Sequence, residues 1–255
     1  MRPAQSGRMP EVNVLTLNAH MGFNLFNRRF VLPELREAIR AVSADLVFLQ
    51  EVMGENALHA SRLDEWPASS QYEFLADTIW SQHAYGRNAA YPHGHHGNAV
   101  LSKFPILSHH NHDVSVQGHE ERGLLHCVTA VPGSSRELHV VCVHLGLRDT
   151  HRRRQLRLLC KLVGEHIPEG APLVVAGDFN DWRRRGHPLL RACGLHEAFE
   201  SGRGRVANTF PARWPMLPLD RIYLRNCEAL QPKVLSLRPW THLSDHVPLH
   251  ARVGW

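Results

Sequence analysis

The 255-residue chain predicts an α/β protein whose mixed β-sheets pack face to face with helices outside. Apolar, strand-like runs recur along the whole length. Two of them follow amphipathic helices, which makes a strand–helix–strand passage in each half. The others are spaced like hairpins. Crossover and hairpin connections together give sheets of mixed direction, and helices then cover the outer faces.

The elements follow in order. Residues 12–17 form a first strand ending at Asn18-Ala19-His20. Leu32, Leu35, Ile39 and Val42 step by three, four and three, an amphipathic helix with Pro33 near its first turn, where proline is tolerated. That helix leads into 45–50, a strand ending at Glu51. Shorter strands are expected over about 97–106, 123–131 and 138–144, the last ending at His144. Leu156, Leu159, Cys160 and Val163 mark a second helix. It leads into Leu173-Val174-Val175-Ala176, which stops at Gly177-Asp178-Phe179-Asn180. A strand over 219–225 carries Asp220 near its start, and 247–253 follows Leu243-Ser244-Asp245-His246. No linker, low-complexity segment or repeat interrupts the chain. The expectation is one domain over 11–255 behind a polar tail at 1–10.

The 173–180 stretch carries the most information. Buried strands end where the chain surfaces, and open α/β sheets place ligand sites at strand ends. Asp178 and Asn180, two apart on an extended segment, point to the same side. Taken alone, an Asx turn closing a strand explains them equally well. The pattern recurs, however. Asn18, Glu51, His144, Asp178 with Asn180, Asp220, and Asp245 with His246 all stand at strand ends, which points to one site assembled from many strands.

At this point the chain resembles the endonuclease/exonuclease/phosphatase superfamily. The resemblance rests on Asn18, Gln50-Glu51, Gly177-Asp178-Phe179-Asn180, Asp220 and Ser244-Asp245-His246 in that order, and on the segment from Gly97 to Ile106. It runs from about Val12 to Val253 and is strongest to bacterial members of YbhP type. It implies a four-layer α/β/β/α sandwich of two mixed sheets, DNase I-like, and hydrolysis of phosphate esters.

The chemistry is read from the residues beside that resemblance. Asn18, Glu51, Asp178, Asn180 and Asp245 all offer oxygen, and hard oxygen donors select magnesium or manganese over zinc. Glu51 is the first choice of metal ligand, with Asn18 and Asp245 completing or supporting the site. Asp178 suits the general base and Asn180 the orienting or oxyanion-stabilising amide. His246 suits a phosphate contact when protonated, with Asp220 holding the imidazole and raising its pKa. The family uses such an Asp–His pair. His144 is similar to a second phosphate-contacting histidine of the sphingomyelinase branch. Asn98, Arg122 and His20 are candidate substrate contacts. Many nuclease members carry an acid where His20 stands, so the site is less negative here and the DNA-repair substrate is not inherited.

Composition bounds the remainder. The apolar fraction is 43%, and no run of about 18 apolar residues predicts a membrane helix. Five cysteines without a C-x-x-C pair, three of them (Cys127, Cys142, Cys160) inside apolar runs, read as core residues of a cytoplasmic protein. His93, His95 and His96 are either a transition-metal cluster or a loop after Pro92. The net charge of +5 favours an anionic partner. Arg152–Arg154 reads as a solvated helix face. Arg183–Arg185 divides evenly between solvation and substrate contact. No basic tract with interleaved aromatics is present. Trp182 and Trp214 are either core residues or a docking surface for a lipid headgroup enzyme. The leading expectation is a metal-dependent phosphoesterase acting on nucleic acid, phospholipid or a small phosphodiester. The alternative is a binding module that kept the fold.

Overall fold

Side-chain alternation along the strands builds three apolar layers. In order, the elements are β1 (Glu11–Asn18), α1 (Leu32–Val42), β2 (Leu46–Asn56), α2 (Ala57–Ala60), α3 (Gln71–Ala76), β3 (Gln82–Tyr91), β4 (Gly94–Ser102), β5 (Ile106–Asp113), β6 (Gly123–Thr129), β7 (Leu138–His144), α4 (Asp149–His166), β8 (Leu173–Asp178), α5 (His187–Ala192), β9 (His196–Glu197), α6 (Ala198–Arg203), β10 (Asp220–Arg225), β11 (Glu228–Val234) and β12 (Leu249–Gly254). The structure is a computed structural model that describes residues 9–25, 28–117 and 120–255. Most of the expected tail at 1–10 lies outside the described residues. Pro10 is within them, and its carbonyl accepts the Trp255 N–H.

Two six-stranded sheets form, ordered β11-β12-β1-β2-β4-β3 and β5-β6-β7-β8-β10-β9. β1 runs parallel to β2, and β7 parallel to β8; each parallel pair is joined through a helix, α1 or α4. The remaining pairs are antiparallel. On β1, Val12 and Val14 face the layer between the sheets, while Leu15 and Leu17 face α1. On β8, Val174 and Ala176 face inward, while Leu173 and Val175 pack with Leu156, Leu159 and Leu162 of α4. The outcome is the four-layer sandwich, with helices outside both sheets.

Two expectations are corrected here. The strand expected over 97–106 divides at the turn after Ser102, giving the end of β4 and the start of β5. Cys160 is not a free core thiol. α4 packs beside α5 and brings Cys160 within 5.7 Å (Cα–Cα) of Cys193, with which it forms a disulfide. Cys127, Cys142 and Cys227 are buried free thiols. Disulfides persist in oxidising environments, so cysteine usage does not argue for the cytoplasm. Among the described residues no helix is long and apolar enough to cross a membrane.

Candidate active site

The site is the polar end of the layer between the sheets. Residues 46 and 48 of β2, 100 of β4, 140 and 142 of β7, 174 and 176 of β8, and 222 and 224 of β10 all face that layer. The same parity carried to the strand ends gives Gln50, Asn98, His144, Asp178 and Asp220, joined by Asn18 from β1. All six are buried. Register brings them level: Asn18 pairs with Gln50, His144 with Asp178, and Asp178 with Asp220. A period of two therefore delivers apolar residues to the core and polar ones to a single mouth.

Glu51 departs from this parity for a local reason. The β2–β4 register shifts between Leu49 and Val52, and Glu51 adopts a left-handed φ of 53°. The bulge turns its carboxylate toward the mouth, where the side chain is 22% exposed. His20 (φ 45°) and Asn180 (φ 51°) are also left-handed. Non-glycine residues held this way carry strain that clusters at functional sites. Gly177, at φ 145°, is required by contact: a Cβ there would lie 2.0 Å from the Val143 carbonyl oxygen.

Asp178 is held from several sides. Its Oδ1 accepts the Asn180 N–H (2.9 Å), while Oδ2 accepts from Asn180 Nδ2 (3.3 Å) and Asn18 Nδ2 (3.4 Å). His144 Nε2 stands 3.7 Å from Oδ2. Burial pushes the Asp178 carboxyl up to about 7; the His246 charge opposes that rise, and Asp220 and Glu51 add to it. His144 is held well below the ordinary imidazole range by burial, with Arg122, His246 and His96 acting the same way.

His246 is the counterpart. Its Nδ1 lies 2.8 Å from Asp220 Oδ2, both groups buried. Burial alone would lower its pKa. The Asp220 charge and hydrogen bond, with Asp178 and Asp245, outweigh burial and raise it to about 10. Thr209 Oγ1 accepts the Asp220 N–H, and the Phe210 ring lies 5.1 Å from the imidazole. Ser244 Oγ donates to the Asn18 carbonyl (2.7 Å) and accepts the His246 N–H. A salt bridge of Asp220 with adjacent Arg221 does not form. Arg221 bonds the Pro218 and Asp181 carbonyls instead.

The other candidates fall at varied distances from this centre. Asn18 Oδ1 accepts the His20 N–H (3.0 Å), so its Nδ2 is the group facing Glu51 (3.1 Å) and Asp178. In this arrangement Asn18 presents a donor to the carboxylates rather than a ligand oxygen. Asn180 Nδ2 is likewise engaged, with the Leu145 carbonyl at 2.9 Å. His20 Nδ1 lies 3.4 Å from Asp245 and 3.8 Å from Glu51, which places it inside the acidic cluster. Asn98 is fully buried and ties the sheets together through the Gly123 and Cys142 carbonyls; its Oδ1 is unpartnered among the described residues. Arg122 sits at the edge, its Nε donating to the Leu145 carbonyl.

The arginine runs resolve differently from each other. Arg152 is buried, not solvated, because it donates to the Gly146 and Leu147 carbonyls in the loop after β7. Arg184 pairs with Glu200, Arg185 pairs with Asp149, and Arg183 lies over the Trp182 ring at 4.4 Å. His95 bonds the Tyr85 hydroxyl, and among the described residues no group of three Asp, Glu, His or Cys side chains is placed to hold a metal by itself. Thr209 and Phe210, which with Ser244 position the Asp–His pair, were not singled out from sequence, and Ser244 was quoted there without a role of its own. Only Ser244 had a signal, its place in Ser-Asp-His.

The arrangement offers a buried carboxyl poised near neutrality, a cationic imidazole, a neutral one, and carboxylates at the mouth. Its fold has many solved counterparts. The endonuclease/exonuclease/phosphatase of Beutenbergia cavernae superposes with a TM-score of 0.76 at 20% identity, covering 96% of this chain and 72% of that one. Danio rerio TDP2 complexed with a single-strand DNA product gives 0.69 at 17%, covering 96% and 99%. The Bacteroides vulgatus endonuclease/exonuclease/phosphatase gives 0.75 at 17%, covering 95% and 98%. In sequence, the chain is 57% identical over 241 residues to YbhP of Escherichia coli (strain K12), an uncharacterised protein, covering 94% of this chain and 95% of that one. The family model described as "Endonuclease/Exonuclease/phosphatase family" matches residues 15–246, a span from β1 to His246 that takes in every strand end of the site, and the chain belongs to that family.

Proposed function

We propose that this protein is a divalent-metal-dependent phosphoesterase that hydrolyses phosphodiester bonds with water activated by Asp178. The observation that carries this reading is the pair formed at the mouth by Asp178, at the end of β8, and His246, in the loop before β12. Asp178, buried, is pushed up to about 7, while His246, equally buried, is raised to about 10 and held by Asp220 at 2.8 Å. Both shifts are upward but favour opposite charge states, the carboxyl held toward its neutral form and the imidazole toward its cation, and such a pair assigns a base and a cation in one site. A carboxyl near neutrality takes a proton from water efficiently at physiological pH. The hydrogen bonds from Asn18 and Asn180 fix its direction. The imidazolium, its Nδ1 occupied by Asp220, turns Nε2 toward the mouth to stabilise charge on phosphoryl oxygens. His144, neutral, supplies a hydrogen bond rather than a charge.

The donor set fits magnesium or manganese. Glu51 and Asp245 bring carboxylate oxygens to the mouth, each partly exposed. Magnesium keeps several waters and takes substrate phosphate oxygens, so one or two carboxylates suffice. Bound there, the ion would neutralise charge on the phosphate and the leaving oxygen. Glu51 is the proposed ligand, with Asp245 in support. Asn18, whose oxygen is occupied, positions Glu51. TDP2 in complex with a DNA product supports phosphoesters as the substrate class. The test is hydrolysis of bis(p-nitrophenyl) phosphate by metal-stripped protein, with and without added magnesium. Activity restored by magnesium and abolished by chelator is expected. Equal activity in the stripped protein, unaltered by magnesium, would sink the proposal.

A further inference from the structure

Four separate loops at the mouth repeat one pairing. Each carries a large exposed apolar side chain next in sequence to an exposed arginine: Leu147-Arg148 after β7, Trp182-Arg183 after β8, Arg213-Trp214 before β10, and Leu237-Arg238 before Asp245. The apolar members are 67, 46, 73 and 79% exposed, and Met216 beside the third pair is 66% exposed. None of the four arginines has a carboxylate partner among the described residues. Of the other exposed large apolar side chains, Met9 and Leu107 lie at the opposite strand ends and Leu58 beyond the long arm of β2.

These loops belong to the site's own frame. The Leu145 N–H donates to the Asp178 carbonyl, which holds the Leu147 loop beside Asp178. Trp182 follows Asn180 by two residues. The turn bearing Trp214 and Met216 is closed by the Phe210–Leu217 bridge; its base places Phe210 against His246 and donates the Ala212 N–H to the Asp245 carbonyl at 2.7 Å. Arg213 shares a small cleft of about 100 Å³ with Thr241 and His242, which links that turn to the Leu237 segment.

We propose that the end of the sandwich carrying the catalytic residues is a docking face for an anionic phospholipid bilayer, so that the phosphoester delivered to Asp178 is one presented at a lipid surface. Two features select a bilayer. Tryptophan and arginine are the side chains that settle at a headgroup boundary, the ring amphipathic and the cation against lipid phosphate. The aliphatic members decide against nucleic acid. Leu147, Met216 and Leu237 have no π-face for a base to stack on, whereas burial at the acyl boundary takes their surface out of water. The choice of substrate rests on the phosphoesterase reading; the docking itself does not.

The experiment is co-sedimentation and tryptophan emission with vesicles of phosphatidylcholine alone and with about one third phosphatidylglycerol. A single-stranded oligonucleotide serves as the competing ligand. Binding to the mixed vesicles with a blue shift is expected, several-fold weaker on phosphatidylcholine alone. Trp182→Ala/Trp214→Ala should weaken it tenfold or more, since each 1.4 kcal/mol of lost burial is tenfold. Both side chains are exposed, so an unchanged melting temperature is the control. Arg213→Gln/Arg238→Gln should remove the preference for the anionic lipid. Absence of vesicle binding, binding indifferent to the tryptophans, or tighter tryptophan-dependent binding of the oligonucleotide each overturns the proposal. Vesicle binding is read without turnover. A protein that binds vesicles but hydrolyses no diester upholds the docking and refutes the phosphoesterase reading; one that hydrolyses a soluble diester but ignores vesicles does the reverse.

Discussion

Replacing Asp220 by Asn removes one charge and keeps the shape. His246 Nδ1 now faces an amide instead of the carboxylate at 2.8 Å. Burial, the largest influence on this imidazole, lowers its pKa, and the Asp220 charge and hydrogen bond are the chief terms against it. Without them the value should fall from about 10 toward or below 6.5. At pH 8 the protonated fraction then drops from ~99% to ~3% or less, a loss of ~30-fold or more in the cationic form. The pH profile of kcat/KM on a soluble diester reads this directly. In the parent protein activity rises as Asp178 ionises near 7 and falls as His246 deprotonates near 10. In the variant the alkaline limb should move to or below neutrality and the window should close. Stability carries a second sign. The folded value of His246 lies above its ordinary 6.5, so its stabilisation is complete below pH 6.5 and is lost as pH rises through about 10. Breaking a buried pair of this kind costs ~3–5 kcal/mol, and the variant should lose the decline of stability across that window. An alkaline limb still near 10 in a folded Asp220→Asn protein would mean that Asp220 does not hold the His246 charge.

Two further substitutions test parts of the site. Glu51→Gln keeps the volume at the β2 bulge and removes a charge; magnesium affinity by calorimetry should fall about tenfold or more, and unchanged affinity would remove Glu51 as the ligand. Arg152→Ala leaves the Gly146 and Leu147 carbonyls without their buried donor, which should cost about 1–3 kcal/mol and lower the melting temperature by several degrees. A melt unchanged within error would mean that the loop satisfies those carbonyls some other way.

How much of this was legible in sequence depends on where an element sits in its sheet. Central strands such as β8, buried over their whole length, read clearly as apolar runs ending at chemistry. β3 (QHAYGRNAAY) and β11 (EALQPKV, with Pro232) lie at sheet edges with largely solvated faces, and their sequences carry no apolar signal to read. The same contrast holds in the site. That Asn18, His144, Asp178 and Asp220 share one mouth follows from strand parity, which sequence displays. The direction of the Asn18 amide is fixed by the His20 N–H, a left-handed turn that no composition signals. Arg152 looked like part of a solvated run because its acceptors are carbonyls, and carbonyls leave no trace in residue identity. Cys160 and Cys193, 33 residues apart, meet only because α4 and α5 pack together.

In the proposed reaction Asp178 is the proton acceptor. Single-turnover hydrolysis of bis(p-nitrophenyl) phosphate at saturating magnesium should be compared between the parent protein and Asp178→Asn. The substitution keeps the size and the acceptor for the Asn180 N–H while removing basicity. The variant's rate should be lower by about 10²–10⁴, with the fold intact by circular dichroism. A folded variant that turns over at near the parent rate would contradict it, leaving Asp178 as the acid of an Asx turn at the end of β8.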